Sequence, residues 1–318
     1  MKNLEIHYYL ENHSHSMDAF VKNKSEAELL KLVSEITILL DIELDFEFEA
    51  IKQGGIKDII KYFKKKKNKK QLNNLLIFFG AIISGILINV ASEHFNRDKD
   101  AEDLSKEEKR LNIRKLKKEL DDDILTEDEK SKAINQIIFL ISDEHKIKVF
   151  KSRFYYNLLK ETKLYQLSTT ELSENFEPIS TEKIIERKYF KNQILETEDK
   201  KPISIENAIV EIVSPVLKQG NIKWKGIYDG QSISFNLLDN EFKNSVINKQ
   251  YRFANGTSIK CKLELIQSIN DDGEIYNKEI NVFDVLEIFD GIQTIITKKA
   301  KNIKELKNQT KIDFNTEE

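Results

Sequence analysis

Residues 75–91 read LLIFFGAIISGILINVA, and what this run packs against decides how the rest of the chain is organised. It carries no charge and a single Asn, in a chain that is 33 % Asp, Glu, Lys and Arg. As a helix rising about 1.5 Å per residue it spans roughly 25 Å, inside the lower limit for crossing a hydrocarbon core of about 30 Å. A helix lying on a core keeps a polar face, whereas this run is apolar on every side and is expected to be wholly buried, in lipid or inside an assembly. Six of the seven residues 64–70 are Lys, which suits anionic headgroups and holds that end in the cytoplasm. The leading expectation is therefore a transmembrane helix in the inner membrane with the N-terminal domain cytoplasmic. A second basic stretch, Arg110, Arg114, Lys115, Lys117 and Lys118, blurs the topology. Two forms stay open: a signal-anchor, or a helix buried in a soluble oligomer that inserts on activation. Gly80 with Ser84 and Ala81 with Gly85 have the small-xxx-small spacing that lets helices approach closely, which predicts a homo-oligomer. The competing reading is a core helix of a soluble scaffold or adaptor.

Outward from this run, the 318 residues are enough for two or three units. Apolar residues make up 40 %, and 18 Phe and 10 Tyr supply large buried groups. With 51 basic and 54 acidic residues the net charge is −3, so an electrostatic partner must be met by a local patch. Cys261 is the only cysteine, which excludes an internal disulfide and a cysteine zinc site and fits a reducing compartment. The first twenty residues lack the pattern of a secretion signal, so the N-terminus is expected in the cytosol.

The expected fold class is α+β multidomain. Residues 1–63 read as a small α/β domain. Leu4, Ile6, Tyr8 and Leu10 alternate as a strand, and Phe20, Ala27, Leu30, Val33, Leu39 and Leu40 recur near helical spacing, with Ser16 as cap. Ile42, Leu44, Phe46, Phe48 and Ala50 then alternate as a second strand, allowing a parallel right-handed pair. IKDIIKYF (56–63) reads as a short helix. Two strands are too few for a sheet, so another chain or a later segment is needed beside them. A basic linker (64–74) leads to the apolar helix (75–91). A helical segment (95–175) follows, its first part a charged connector striped by Leu104, Leu111, Leu116 and Leu120. Thr126 and Glu129 have capping-box spacing. Residues 176–290 read as a β-rich domain, a small barrel or sandwich, with strands at 207–214, 222–228, 231–238, 257–267 and 275–288 and a short helix at 239–249 plugging one end. Residues 291–318 form a polar tail.

Candidate chemistry is sparse. His13, His15 and Asp18 are metal-ligand types, but their spacing is unspecific and no second cluster completes a set. Asp45, Glu47, Glu49 and Lys52 resemble a nuclease set, yet Glu49 and Lys52 are three apart where that motif wants two, and alternation explains the acids as a solvent face. There is no nucleophile elbow and no phosphate loop. Cys261 lies mid-strand. No enzyme activity, catalytic residue, metal or cofactor is expected, with a metal-dependent nuclease as the residual enzyme reading. The better candidate for ligand binding is the β-rich domain, where Lys223, Trp224, Lys225, Tyr228, Arg252, Lys260 and Lys262 interleave basic and aromatic types on strands. Small barrels of this kind stack bases and track phosphates. The plain alternative is a structural barrel with Trp224 as core and the lysines as a soluble face.

The order of parts, HYYLENHSHSMDAF to EAIKQGGIKD, then LLIFFGAIISGILINVA, then SPVLKQGNIKWKGIYDG to FANGTSIKCKLEL, resembles bacterial anti-phage effectors in which a cytosolic sensing domain controls a membrane-active helix. More narrowly it is similar to the channel-forming subunits of Hailong systems, HalA. The resemblance implies an oligomeric pore held inactive by a nucleotide or single-stranded oligonucleotide signal, with a partner nucleotidyltransferase making that signal and membrane lipid as the target. No functional residue transfers with it.

Overall fold

The strand expected at the N-terminus forms as β1 (Lys2–Leu10), with Leu4, Ile6, Tyr8 and Leu10 buried on one face and Glu5, His7 and Tyr9 on the other. The computed structural model describes residues 2–49, 56–64, 73–88, 106–120, 125–198, 201–291 and 293–303. The chain divides into two compact units, Met1–Glu196 and Thr197–Glu318. The segments 1–63, 75–91 and 95–175, expected as separate parts, contribute to the first of them.

In the first unit β1 is followed by α1 (Ala19–Leu39), β2 (Leu44–Glu49), β3 (Ile56–Lys64), α2 (Asn73–Ile88), α3 (Lys106–Leu120), α4 (Glu127–Ser142), α5 (His145–Leu158), β4 (Leu164–Leu172) and β5 (Lys183–Glu186). The five strands make one sheet in the order β2-β3-β1-β4-β5, every neighbour antiparallel. β1 and β2 therefore run parallel to each other but do not pair, because β3 lies between them. The segment 56–63 is a strand, not the expected helix. Its Ile60 and Tyr62 are buried on the inner face with Asp58 between sheet and α1. Asp58 broke the alternation in the sequence. Lys22 of α1 donates to both its carboxylate oxygens at 2.6 Å and supplies the compensating charge. The later segment that the sheet needed is β4, which falls inside the segment 95–175 expected to be helical. Its Ser168, Thr169 and Thr170 are all buried, which suits β-branched and small residues covered on both faces.

α1 is capped by Asp18, whose Oδ1 accepts from the Phe20 and Val21 N–H groups at 2.9 Å; Ser16 is not the cap. Its buried stripe is Val21, Leu29, Leu32, Val33, Ile36 and Leu39, while Phe20, Ala27 and Leu30 face solvent. Thr126 and Glu129 make the expected capping box at the start of α4. The charged α3 is no free connector. Its Ile113 and Leu120 are buried, its Lys109 pairs with Asp143 after α4, and its Lys117 donates to the Leu40 carbonyl at 2.8 Å. Leu104 lies outside the described residues.

α2 corrects the leading expectation. Among the described residues no helix is long and apolar enough to cross a membrane. α2 has 16 residues, and its Leu75, Phe79, Ile82, Ile83, Ile86 and Leu87 are fully buried by the rest of the first unit. The helix is apolar on nearly every side because it is covered from two directions. Phe79 meets Phe46 and Tyr62 of the sheet at ring-centroid distances of 6.0 and 5.3 Å. From the other direction, Gly85 faces α4 so closely that a Cβ there would lie 2.4 Å from Ile138 Cδ1. At Gly80 a Cβ would lie 2.8 Å from Tyr62 Oη. Gly80 and Gly85, two of the four small residues read as an oligomer seam, thus sit at close approaches within the chain. Tyr155 of α5 ties down the far end by donating to the Leu87 carbonyl at 2.7 Å. Residues 89–91 lie outside the described residues.

The second unit is a five-stranded closed barrel of β6 (Ile203–Ser214), β7 (Trp224–Tyr228), β8 (Gln231–Leu237), β9 (Ser258–Ile269) and β10 (Ile275–Phe289), with α6 (Asn240–Ile247) between β8 and β9 and a short β11 (Thr294–Ile296) on β10. Around the barrel the order is β6-β7-β8-β10-β9 and back to β6; β8 and β10 are parallel, all other pairs antiparallel. The expected strands and the plugging helix all form here, and a barrel, not a sandwich, is what closes. Trp224, Phe235, Ile259, Cys261, Leu263 and Val282 form the core, with Phe242 and Val246 of α6 against it.

Candidate binding surface

Each barrel strand places alternate side chains inside and outside, so the register decides which candidates can meet a ligand. On β7, Trp224 and Gly226 point inward and Lys225 and Ile227 outward. The register pairs Lys225 with Ser234 and Ile227 with Ser232 of β8. The outer β7–β8 face thus presents Lys225, Ser232 and Ser234. Asn236 lies beyond them at the barrel seam, where its amide donates to Asn281 Oδ1 at 2.9 Å. Lys223 sits exposed just before β7, at the end of the loop from β6. On the other side of that loop, Lys243 of α6 donates to the Gly220 carbonyl at 2.7 Å. Gly226 lets β6 and β7 approach: a Cβ at this position would lie 2.6 Å from the Glu211 carbonyl oxygen.

The seven residues expected to bind do not come together as one patch. Lys223 and Lys225 share the β7 side. Trp224 is 0 % exposed, packed 6.2 Å from Phe235 and 5.5 Å from Phe253, and is core. Tyr228 is half-buried against the same core. Arg252 is exposed in the loop after α6. Lys260 and Lys262 lie on β9, across the barrel from β7 and β8, and each is matched by a carboxylate: Lys260 with Glu287 at 3.2 Å and Lys262 with Glu206 at 2.8 Å. The Glu206 hydrogen bond and charge raise the Lys262 pKa above the ordinary lysine value. Of the helix residues named from sequence, Gly80 and Gly85 sit at the close approaches described above, Ser84 is buried and Ala81 is half-buried on the same helix.

Sequence reading passed over Ser232, Ser234 and Asn236. Their signal was present, since they alternate with Ile233, Phe235 and Leu237 in QSISFNL, but short polar residues on a strand carry no sign of their own. A shallow pocket lined by Asp239, Tyr251, Thr297 and Lys299 was also unforeseen. Its buried Asp239 is engaged structurally: Oδ1 caps α6 at Phe242 N and Oδ2 accepts from Val285 N, both at 3.0 Å.

In the first unit, Tyr9 and Ser168 both donate to Glu182 Oε1 at 2.5 Å. These bonds, Ser168 first, hold the Glu182 carboxyl below its ordinary range and staple the segment before β5 to β1 and β4. Among the described residues no cluster of His, Cys, Asp and Glu could hold a metal ion. Asp18 is occupied as a helix cap, Asp45 and Glu47 lie on the outer side of β2, and Lys52 lies outside the described residues. Cys261 is buried, and burial pushes its thiol up to about 12, so it is a packing residue in this fold.

No protein-family model, curated protein or solved structure matches the chain. Any functional reading therefore starts from this geometry.

Proposed function

We propose that the second unit is a binding module for a nucleotide or single-stranded oligonucleotide, and that its occupancy controls the first unit. The barrel's topology carries this reading. Five strands in the order 1-2-3-5-4-1, with a parallel 3–5 pair and a helix between the third and fourth, is the arrangement of the OB-fold. Its ligands lie across strands two and three and the loops beside them. Here those strands are β7 and β8, and their outer face holds Lys223, Lys225, Ser232 and Ser234. The test is fluorescence anisotropy of the full chain with labelled single-stranded DNA and RNA of about ten nucleotides, within the span of one such barrel. Lys223→Glu with Lys225→Glu is expected to weaken binding about tenfold or more at low salt while leaving thermal unfolding unchanged. No binding by the unaltered protein at low salt rejects the reading.

A second reading concerns what the ligand controls, and the uniform apolarity of α2 favours it. In this reading the packed α2 is the resting state of a membrane-active oligomeric effector, of the kind the Hailong resemblance implies for anti-phage defence. Activation shifts the helix out of the first unit, by no more than the ligand's differential affinity for the two states. Dye release from anionic vesicles, with and without bound oligonucleotide, tests it. Vesicles that stay intact in both conditions reject the pore. The alternative is a soluble oligomeric scaffold or adaptor using α2 as interface core, which intact vesicles together with a stable oligomer in solution would favour.

A further inference from the structure

We infer that the barrel takes its ligand through phosphate and sugar groups on the β7–β8 face, with no base stacked there, so that this site reads a polyphosphodiester chain irrespective of sequence. The inference rests on the binding reading above and narrows it. Barrels that bind single strands by stacking present aromatic rings outward on these strands. On β7 and β8 the rings turn toward the core, Tyr228 being half-buried against it. Trp224 and Phe235 are fully buried, Phe242 is nearly so, and Tyr251 stacks on Phe242 at a centroid distance of 5.4 Å. What the face offers is two ammonium groups, Lys223 and Lys225, with the hydroxyls of Ser232 and Ser234 beside them. These are hydrogen-bond donors suited to phosphoryl oxygens, and none has a π-face to meet a base. The neighbouring Ile227, between Ser232 of β8 and Glu211 of β6, is aliphatic. Among the described residues of the second unit, the exposed aromatic side chain is Tyr276, 47 % open. It lies opposite Ser268 on the β9–β10 hairpin and not on the β7–β8 face.

The experiment compares an oligothymidylate with an abasic oligodeoxynucleotide of equal length, each labelled, on the full chain at one low salt concentration. Loss of a single stacked base weakens binding by about 5- to 150-fold. The expected result is that the abasic chain binds within about threefold of oligothymidylate and that Lys225→Glu weakens both alike. Binding of oligothymidylate with loss of the abasic chain overturns this inference and leaves the binding module standing. Tyr276→Ala then tells whether the hairpin supplies the stack: removal of the preference for bases by that variant places the bases on the hairpin and also overturns a stack-free ligand. Failure of both oligomers to bind overturns the binding reading itself.

Discussion

Trp224 is where a single side chain's role turned over. Its neighbours in the sequence, Lys223 and Lys225, suggest a ligand-stacking ring, yet strand alternation turns the indole inward while the lysines turn out. Trp224→Ala should cost about 3–5 kcal/mol in urea unfolding, as large-to-small changes in a packed core do. Trp224→Phe should cost distinctly less, since the indole N–H finds no hydrogen-bond partner and nothing polar is lost with it. It should also keep oligonucleotide affinity; a large loss of affinity with a stable barrel would mean the ring meets the ligand after all. In the first unit Lys151 of α5 is largely shielded, and burial lowers its pKa to about 8. The folded chain then gives up this proton before the unfolded chain does, so stability from this group rises with pH between about 8 and the ordinary lysine value of 10.5 and is lost as pH falls back. Lys151→Met should raise stability at pH 7 by about 1–3 kcal/mol, and the gain should shrink toward pH 10.5. An equal gain at both pH values would assign the effect to packing instead of charge.

At the scale of an element, α2 separates burial from solvent type. An all-apolar helix states that it is surrounded; it does not state by what. Here the surroundings are a sheet on one side and α4 on the other, with glycine at both close approaches. Gly85→Leu puts four extra carbons where Ile138 already lies and should destabilise the first unit by about 1–3 kcal/mol or more. Gly85→Ala is milder, because Ile138 Cδ1 is the movable end of a side chain and alanine regains about 1 kcal/mol of helix propensity. If Gly85→Leu instead changed only the size of an oligomer, with unfolding unaltered, the intrachain packing would not be what this glycine serves. β3 makes the companion point. Its helix-like spacing came from Asp58 facing inward, and a carboxylate can sit there only because Lys22 reaches it from an element thirty-six residues away in sequence.

For the whole molecule, the division at Glu196 and Thr197 makes a clear prediction. The second unit contains a closed barrel and its own core, so residues 197–318 expressed alone should unfold cooperatively and retain oligonucleotide affinity within about threefold of the full chain. An unfolded fragment would show that the barrel depends on the first unit. A folded fragment that no longer binds, beside a full chain that does, would move the site off the barrel face.

The sequence by itself determined the barrel to within a few residues at each strand, because alternation is a local signal and the Asp229-Gly230 and Asp271-Asp272-Gly273 turns each act within one hairpin, β7–β8 and β9–β10. It also determined that the apolar run needs cover, which Leu75, Phe79, Ile82, Ile83, Ile86 and Leu87 receive while Ile77 stays exposed, and the capping of α4. Only the tertiary structure decided what buries α2, that β3 and β4 are strands, and which lysines share a face. Those outcomes depend on partners far along the chain: β1 takes β4 as its neighbour, Asp58 takes Lys22, and barrel closure puts Lys260 and Lys262 across from Lys225, each already matched by a carboxylate. No window of sequence contains both members of such a pair, which is the physical reason the fold's contents were legible and its arrangement was not.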